Sequence, residues 1–373
     1  MSRLFPIVIF LLVLAAGAGF LLFHQNNGTT KQPQVTSVPQ PYKAETLQVQ
    51  SHGVTLAGEL IIPDIKSPAP AAILLSVAGP NDRNQSFAGH KSFTVLADVL
   101  ERRGIASARF DDRGVGGSGG DYFKASWNDL SNDAAAIFET LKNDPRIDPN
   151  QIGFIGMSQG GAVAAMTANA VDSAAFAVLI SAPGLSGVET LSLQLEKALE
   201  ISGVTGDRAD QYRTLFAEYI SIVTSNPEAP ATRDRLAVFL KGPGRALIPP
   251  YSFVPETLEG RIEMFLGPWY QSNLRFDPEP IYSSLDVPIL AIGGGLDPIS
   301  PPEHHLEAIE QYLRQAPSSD VTVRIIPDAN HIMQKARTGL PAEYAGLENT
   351  LSPDLLEILG AWLDKRLNNE SMD

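Results

Sequence analysis

Along most of this chain, apolar residues come in short continuous runs, and each run is followed by a segment with helical spacing. The first two runs differ: "ETLQVQ" and "VTLAGELIIP" alternate on either side of Ser51-His52-Gly53 and predict a β-hairpin. Next, "AAILLSVAG" (71–79) predicts a buried strand and "FTVLADVLERRG" a helix. "IASARF" is the following strand, "LSNDAAAIFETLKND" the following helix, and "QIGFIGM" and "AFAVLISAP" (175–183) are strands on either side of a further helix. Continuous runs separated by helices are strands covered on both faces, so a mostly parallel sheet between two helical layers is expected. The rhythm stops at Gly184. Through Asp286 the chain offers amphipathic stretches such as "VETLSLQLEKALEISG" and "DRADQYRTLFAEYISIVTS" with proline-rich loops between them, and no convincing strand. It resumes with "VPILAIGGGLD" (287–297), the helix "PPEHHLEAIEQYLRQA", the strand "VTVRIIPD" and a last helix ending "LLEILGAWLDKRL". The expected organisation is one α/β domain built from residues 44–183 and 287–373, with residues 184–286 inserted as a helical cap.

The amino terminus follows another pattern. Leu4 to Phe23 carry no charge, and as a helix such a run spans roughly 30 Å, the thickness of a bilayer's hydrocarbon core. Residues 1–23 therefore read as a membrane anchor. The small residues of "AAGAG" would also suit a cleaved signal peptide, but "FLLF" extends the apolar run beyond them. With Arg3 on the short leading side, the rest of the chain is expected outside the cytoplasm, anchored at the cell envelope, or secreted if the segment is cleaved. Residues 24–43 are polar, bear prolines and lack periodicity, as a tether does.

Composition narrows the chemistry. Forty-two acidic against 28 basic residues give a net charge of −14, which argues against a nucleic-acid partner. The absence of cysteine excludes disulfides, thiolate metal sites and a cysteine nucleophile.

The join between a strand and a small-residue helix falls at Gly156-Met157-Ser158-Gln159-Gly160, a G-x-S-x-G nucleophile elbow. Such a turn is sharp, so side chains two residues either side of the serine would collide with neighbouring backbone. A serine nucleophile needs a base, and the base needs an orienting acid, in the chain order Ser, Asp or Glu, His. Of the six histidines, His24, His52 and His90 precede the serine, and His304 and His305 fall in a predicted helix and read as surface positions. His331 lies just past the last strand, where a base belongs. Asp297 ends its strand on the same side as Ser158, whereas Asp286 precedes that strand; Asp328 is the competitor nearest to His331. The candidate catalytic residues are thus Ser158, Asp297 and His331. The amide of Gln159 is the first expected oxyanion donor, and the second is that of Ala78 or Gly79, because Pro80 has no N–H. Arg83 reads as half of a structural salt bridge, with a substrate carboxylate as its alternative partner.

The stretches "AGPNDRNQ", "RFDDRGVGGSGG", "GFIGMSQGG", "GPWYQSNLRFDP", "ILAIGGGLD" and "PDANHIMQKARTGLPAEY" together resemble the serine α/β-hydrolases of the bacterial esterase group known as serine-aminopeptidase-like hydrolases. The resemblance spans about Ala44 to Leu367 and implies an α/β-hydrolase fold. Its triad would fall on Ser158, Asp297 and His331. It also implies hydrolysis of small-molecule carboxylic esters, mostly with short acyl chains, with no metal and no organic cofactor. Relatives often have histidine where Met157 stands, and a further glycine or serine where Val77-Ala78 stand, which puts the second oxyanion donor in doubt. "FDDRGVGGSGG" lacks the Lys-Ser/Thr ending of a phosphate loop and reads as a structural turn. Trp269 and Tyr270 in "GPWY" are candidates for lining the substrate pocket. The rival readings are a peptidase or a thioesterase with the same triad, and a non-catalytic binding module. Oligomeric state is not legible.

Overall fold

The computed structural model describes residues 44–64, 68–247 and 254–367. The expected anchor and tether lie outside these residues. Among the described residues, no helix is long and apolar enough to cross a membrane.

The hairpin forms as β1 (Ala44–Ser51) and β2 (Val54–Ile61), joined through His52 and Gly53, both at positive φ. The strands that follow are β3 (Ala69–Leu75), a two-residue pair β4 (Ser86–Phe87) and β5 (His90–Lys91), β6 (Ala106–Phe110), β7 (Ile147–Met157), β8 (Ala177–Ile180), β9 (Ile289–Gly294) and β10 (Val321–Ile326). Apart from β4 and β5, they build one eight-stranded sheet in the order β1-β2-β6-β3-β7-β8-β9-β10. The first two junctions are antiparallel and the other five parallel. The chain leaves β3 in one direction to make β6 and then passes back to make β7 on the other side of β3. That reversal opens a crevice at the carboxyl ends of β3 and β7, where doubly wound sheets bind ligands.

Helices cover both faces. Helix α1 (Ser92–Glu101) and α11 (Pro353–Leu367) pack on one face; α2 (Trp127–Lys142), α3 (Gln159–Ala170) and α10 (His305–Leu313) pack on the other. Strand β7 shows why its sequence is apolar throughout: Ile152 and Phe154 point into the layer of α2 and α3, while Ile155 and Met157 point into that of α1 and α11. Helix α2 starts at a reciprocal cap, with Ser126 Oγ accepting from Asp129 N–H and the Asp129 carboxylate accepting from Ser126 N–H.

Between β8 and β9 the described residues form the helices α4 (Gly187–Ile201), α5 (Gly206–Val223), α6 (Pro230–Lys241), α7 (Leu258–Leu266), α8 (Pro268–Leu274) and α9 (Pro278–Tyr282). Its apolar interior, including Leu195, Tyr219 and Phe265, is continuous with the core layer of α2 and α3. The cap and the sheet therefore share one core rather than meeting across a polar seam.

Two elements differ from expectation. The strand predicted over 71–79 stops at Leu75. Beyond it, backbone groups bond to side chains instead of a neighbouring strand: Val77 N–H donates to Gln85 Oε1 at 3.2 Å, and Asn81 Nδ2 donates to the carbonyls of Val77 and Gly79. His305 is buried, not on the surface. Its Nδ1 accepts from Gly184 N–H at 3.1 Å, and burial pushes its pKa down to about 4. Of this pair, His304 alone faces solvent.

Candidate active site

Ser158 follows β7 directly and caps α3, so it stands where strand becomes helix. Its backbone has φ 52° and ψ −120°, a strained region for a residue with a Cβ. Ser158 N–H donates to Ile180 O at 2.7 Å and Gly161 N–H donates to Ser158 O at 2.9 Å, which holds the turn. The flanking glycines are sterically required. A Cβ on Gly156 would run into the carbonyl oxygen of Gly160, and one on Gly160 into those of Leu75 and Ser76.

Asp297 and His331 follow β9 and β10 and come to the same end of the sheet. Asp297 Oδ1 accepts from Ile299 N–H at 2.8 Å and Ser300 N–H at 2.9 Å, which aims Oδ2 at His331 Nδ1, 2.8 Å away. An ionised carboxylate only accepts, so Nδ1 carries the imidazole proton and Nε2 is left as an acceptor. Nε2 lies 3.0 Å from Ser158 Oγ. Asp297 and His331 are buried, while Ser158 is half-buried beneath the cap. Asp328 lies apart from this relay, paired with Lys335 at 3.0 Å.

The two possible second oxyanion donors are distinguished by their partners. Gly79 departs from the expectation: its N–H donates to Tyr122 Oη at 2.9 Å and is not available to a substrate. Ala78 N–H has no acceptor among the described residues, and Ala78 borders the pocket over Ser158. Gln159 N–H opens α3, where the first amides have no intrahelical acceptor.

Sequence reasoning missed the residues that brace the loop of Ala78 and the start of α3. Tyr122 sits on the short 3-10 turn Tyr122–Lys124 after the glycine-rich segment. Its Oη accepts from Gly79 N–H and from Trp269 Nε1–H at 3.1 Å, and lies 3.1 Å from Gln159 Nε2. Asp112 braces the same loop from below. It accepts from Asn81 N–H at 2.8 Å and Ser76 Oγ at 2.9 Å, and Asn81 in turn binds the carbonyls on either side of Ala78. Burial pushes the Asp112 carboxyl up to about 7 against the pull of these donors. Arg83 is structural: it forms a fork with Asp111 and reaches Glu59 at 3.4 Å. Burial works to raise the Asp111 carboxyl, yet the Arg83 bonds hold it below the usual carboxylate range.

Trp269 and Tyr270 do not line the pocket. Both are fully buried, Trp269 against Tyr122 and Gln159, and Tyr270 within the cap's aromatic cluster, its Oη paired with that of Tyr219 at 2.6 Å. Helix α8 turns them into the cap core and presents Asn273 to the pocket instead. Beside Ser158, His331 and Ala78, the walls are formed by Trp127, Thr190, Gln194, Asn273, Ile299 and Ser300. The cavity between them is about 40 Å³, and the space around it opens to solvent. The space is narrow. Among the described residues, no cluster of three or more His, Asp or Glu is placed to hold a metal ion.

A family model described as serine aminopeptidase, S33 (Hydrolase_4) matches residues 88–231. In structure, the chain is similar to the Pyrococcus furiosus esterase PF2001, with a TM-score of 0.56 and 16% identity over 91% of this chain and 98% of that one. It is also similar to a 2,6-dihydroxy-pseudo-oxynicotine hydrolase, with a TM-score of 0.52 and 19% identity over 87% of this chain and 68% of that one. The chain is an α/β-hydrolase by fold. An uncharacterized Mycobacterium tuberculosis protein, Rv2307c, is 27% identical over 167 residues, which are 43% of this chain and 56% of that relative. The chain thus spans little more than half the length of the curated relatives it matches.

Proposed function

We propose that this α/β-hydrolase is a serine esterase that cleaves small carboxylic esters through an acyl-enzyme. The observation that carries the reading is the buried relay from Asp297 through His331 to Ser158, with hydrogen bonds of 2.8 and 3.0 Å. Ser158 Oγ bonds to the ester carbonyl carbon as its proton passes to His331 Nε2. The Ala78 and Gln159 amides receive the oxyanion, and Asp297 stabilises the imidazolium. Collapse breaks the bond to the leaving alcohol, which takes the proton from His331. Water, deprotonated by His331, then releases the acid by the same steps in reverse. The pocket's narrowness favours a short acyl chain. None of its described lining side chains carries a full charge beyond what His331 acquires during turnover. That counts against an aminopeptidase, which needs a carboxylate for the substrate's amino terminus, and against a thioesterase, which needs basic groups for coenzyme A.

The apolar run from Leu4 to Phe23 supports a site of action at the cell envelope, with the catalytic domain outside the cytoplasm. The test of the chemistry is hydrolysis of p-nitrophenyl acetate through decanoate by the wild type and by Ser158→Ala. Turnover is expected on the short esters and should fall by at least about 10³-fold in the variant, as removal of a nucleophile does. A variant as active as the wild type would remove Ser158 from the mechanism.

A further inference from the structure

Side chains, not a neighbouring strand, hold the backbone from Val77 to Gly79. Val77 N–H donates to Gln85 Oε1 at 3.2 Å, and Gly79 N–H to Tyr122 Oη at 2.9 Å. The carbonyls of Val77 and Gly79 both accept from one group, Asn81 Nδ2, at 2.9 and 2.6 Å. Of the three N–H groups in this stretch, that of Ala78 alone has no acceptor among the described residues. Its direction is nevertheless fixed. A trans peptide is planar, and its C=O points opposite to the N–H that follows. Val77 O and Ala78 N–H share one such plane. Because Asn81 holds the oxygen, the Ala78 N–H points away from Asn81, and Ala78 borders the pocket over Ser158.

Asn81 is itself tied to the sheet. Its N–H donates to Asp112 Oδ2 at 2.8 Å, and its carbonyl accepts from Asp112 N–H at 3.0 Å. Asp112 stands two residues beyond the end of β6. Both hydrogens of the Asn81 amide are used, one on each carbonyl, so the amide cannot turn over without setting oxygen against oxygen. We infer that Asn81 is the positioning residue of the oxyanion hole, turning the Val77–Ala78 peptide so that Ala78 N–H meets the oxyanion formed at Ser158. The inference rests on the esterase reading and adds to it the residue that sets the second donor. Asn81 touches no substrate. It acts through the Ala78 amide, and so on the transition state, where the negative charge develops, more than on the bound ester.

The experiment compares wild type, Asn81→Ala and Asn81→Asp on p-nitrophenyl acetate. Asn81 is half-buried, so truncation there opens towards solvent and the alanine variant should fold. The aspartate variant keeps the shape but turns a carboxylate oxygen on the two carbonyls. Asn81→Ala should lower kcat by about 10-fold or more and Asn81→Asp by about 100-fold or more, with KM within roughly 3-fold of wild type. Two inhibitors separate aim from general damage. A trifluoromethyl ketone takes up Ser158 Oγ at its carbonyl carbon, the hydroxyl proton passing to His331, and leaves an oxyanion in the hole; the matching methyl ketone binds without that charge. The variants should lose affinity for the first by about the factor lost in kcat/KM, and hold the second within roughly 2-fold. The acid limb of the pH profile should stay where it is, since the relay from Asp297 is untouched. A loss in kcat under about 3-fold in both variants overturns the inference, and so does equal weakening of the two ketones or a displaced acid limb. Labelling of wild-type Ser158 by a fluorophosphonate distinguishes the failures. A wild type that is labelled and active beside equally active variants removes only the role of Asn81; a wild type neither labelled nor active removes the esterase reading as well.

Discussion

Tyr122 joins three parts of the candidate site through one phenolic oxygen: the loop carrying Ala78, the first residue of the helix behind Ser158, and the cap through Trp269. Removing that oxygen leaves the Gly79 amide without its anchor, and Ala78 beside it loses its aim. Tyr122→Phe is therefore expected to lower kcat on a short ester by about 10- to 100-fold with KM held within roughly 2-fold, because an oxyanion donor acts on the transition state and hardly on the ground state. Steady-state kinetics decide it; equal losses in kcat and 1/KM would mean the pocket itself had been disturbed. At this scale the sequence was legible where chemistry coincides with a chain landmark. Ser158, Asp297 and His331 can be picked out because each follows a strand, and the structure brings the three within hydrogen-bonding distance. Tyr122, Trp127 and Asn273 have no such landmark. They matter through neighbours that only the folded cap and loops supply, and for the same reason the aromatic pair Trp269-Tyr270 drew attention that belonged to Asn273, a turn further on.

At the level of elements, the segment after β3 shows what an apolar pattern conceals. Ser76 to Gly79 continues a run that reads as strand, yet the backbone there is carried by Gln85, Asn81 and Tyr122 side chains. Periodicity reports which face of a segment is buried and says nothing about which polar groups will meet its backbone. The parallel strands were legible for the complementary reason, since burial on both faces leaves a continuous apolar run. The bracing of this loop by Asp112 carries a stability signature. In the folded protein burial lifts this carboxyl from its ordinary 3.8 to about 7. The contribution of the group to stability is thus full below its unfolded value and is lost as pH rises through the folded one. Asp112→Asn never ionises, so its melting temperature relative to wild type should climb between pH 5 and pH 8. Thermal melts across that range check it; a constant difference would mean that the carboxyl ionises in the folded state as easily as in water.

For the whole molecule, the cap interior and the core layer over α2 and α3 form one apolar body, so substrate access depends on a unit built into the domain rather than a detachable lid. The proposed placement at the envelope predicts a clean division by length. The full chain should sediment with membranes and resist extraction by high salt, whereas a chain beginning at Tyr42 should stay in the supernatant with the same kcat/KM on soluble esters. A full chain found in the supernatant would mean that the segment from Leu4 to Phe23 is removed or does not insert. The position of the cap in the chain has a further consequence, for the order of assembly. Ser158 and His331 are separated by 173 residues, most of them in the insertion, whereas Asp297 and His331 are 34 apart. The strained elbow can form as soon as β7, α3 and β8 have been synthesised, but its hydroxyl then has no base. Closing so long a loop adds only a logarithmic entropic penalty, so insertions of very different size can be accommodated there without displacing the two halves. On the proposed mechanism, a nascent chain carries its nucleophile unarmed, and emergence of the segment around His331 is the event that arms it.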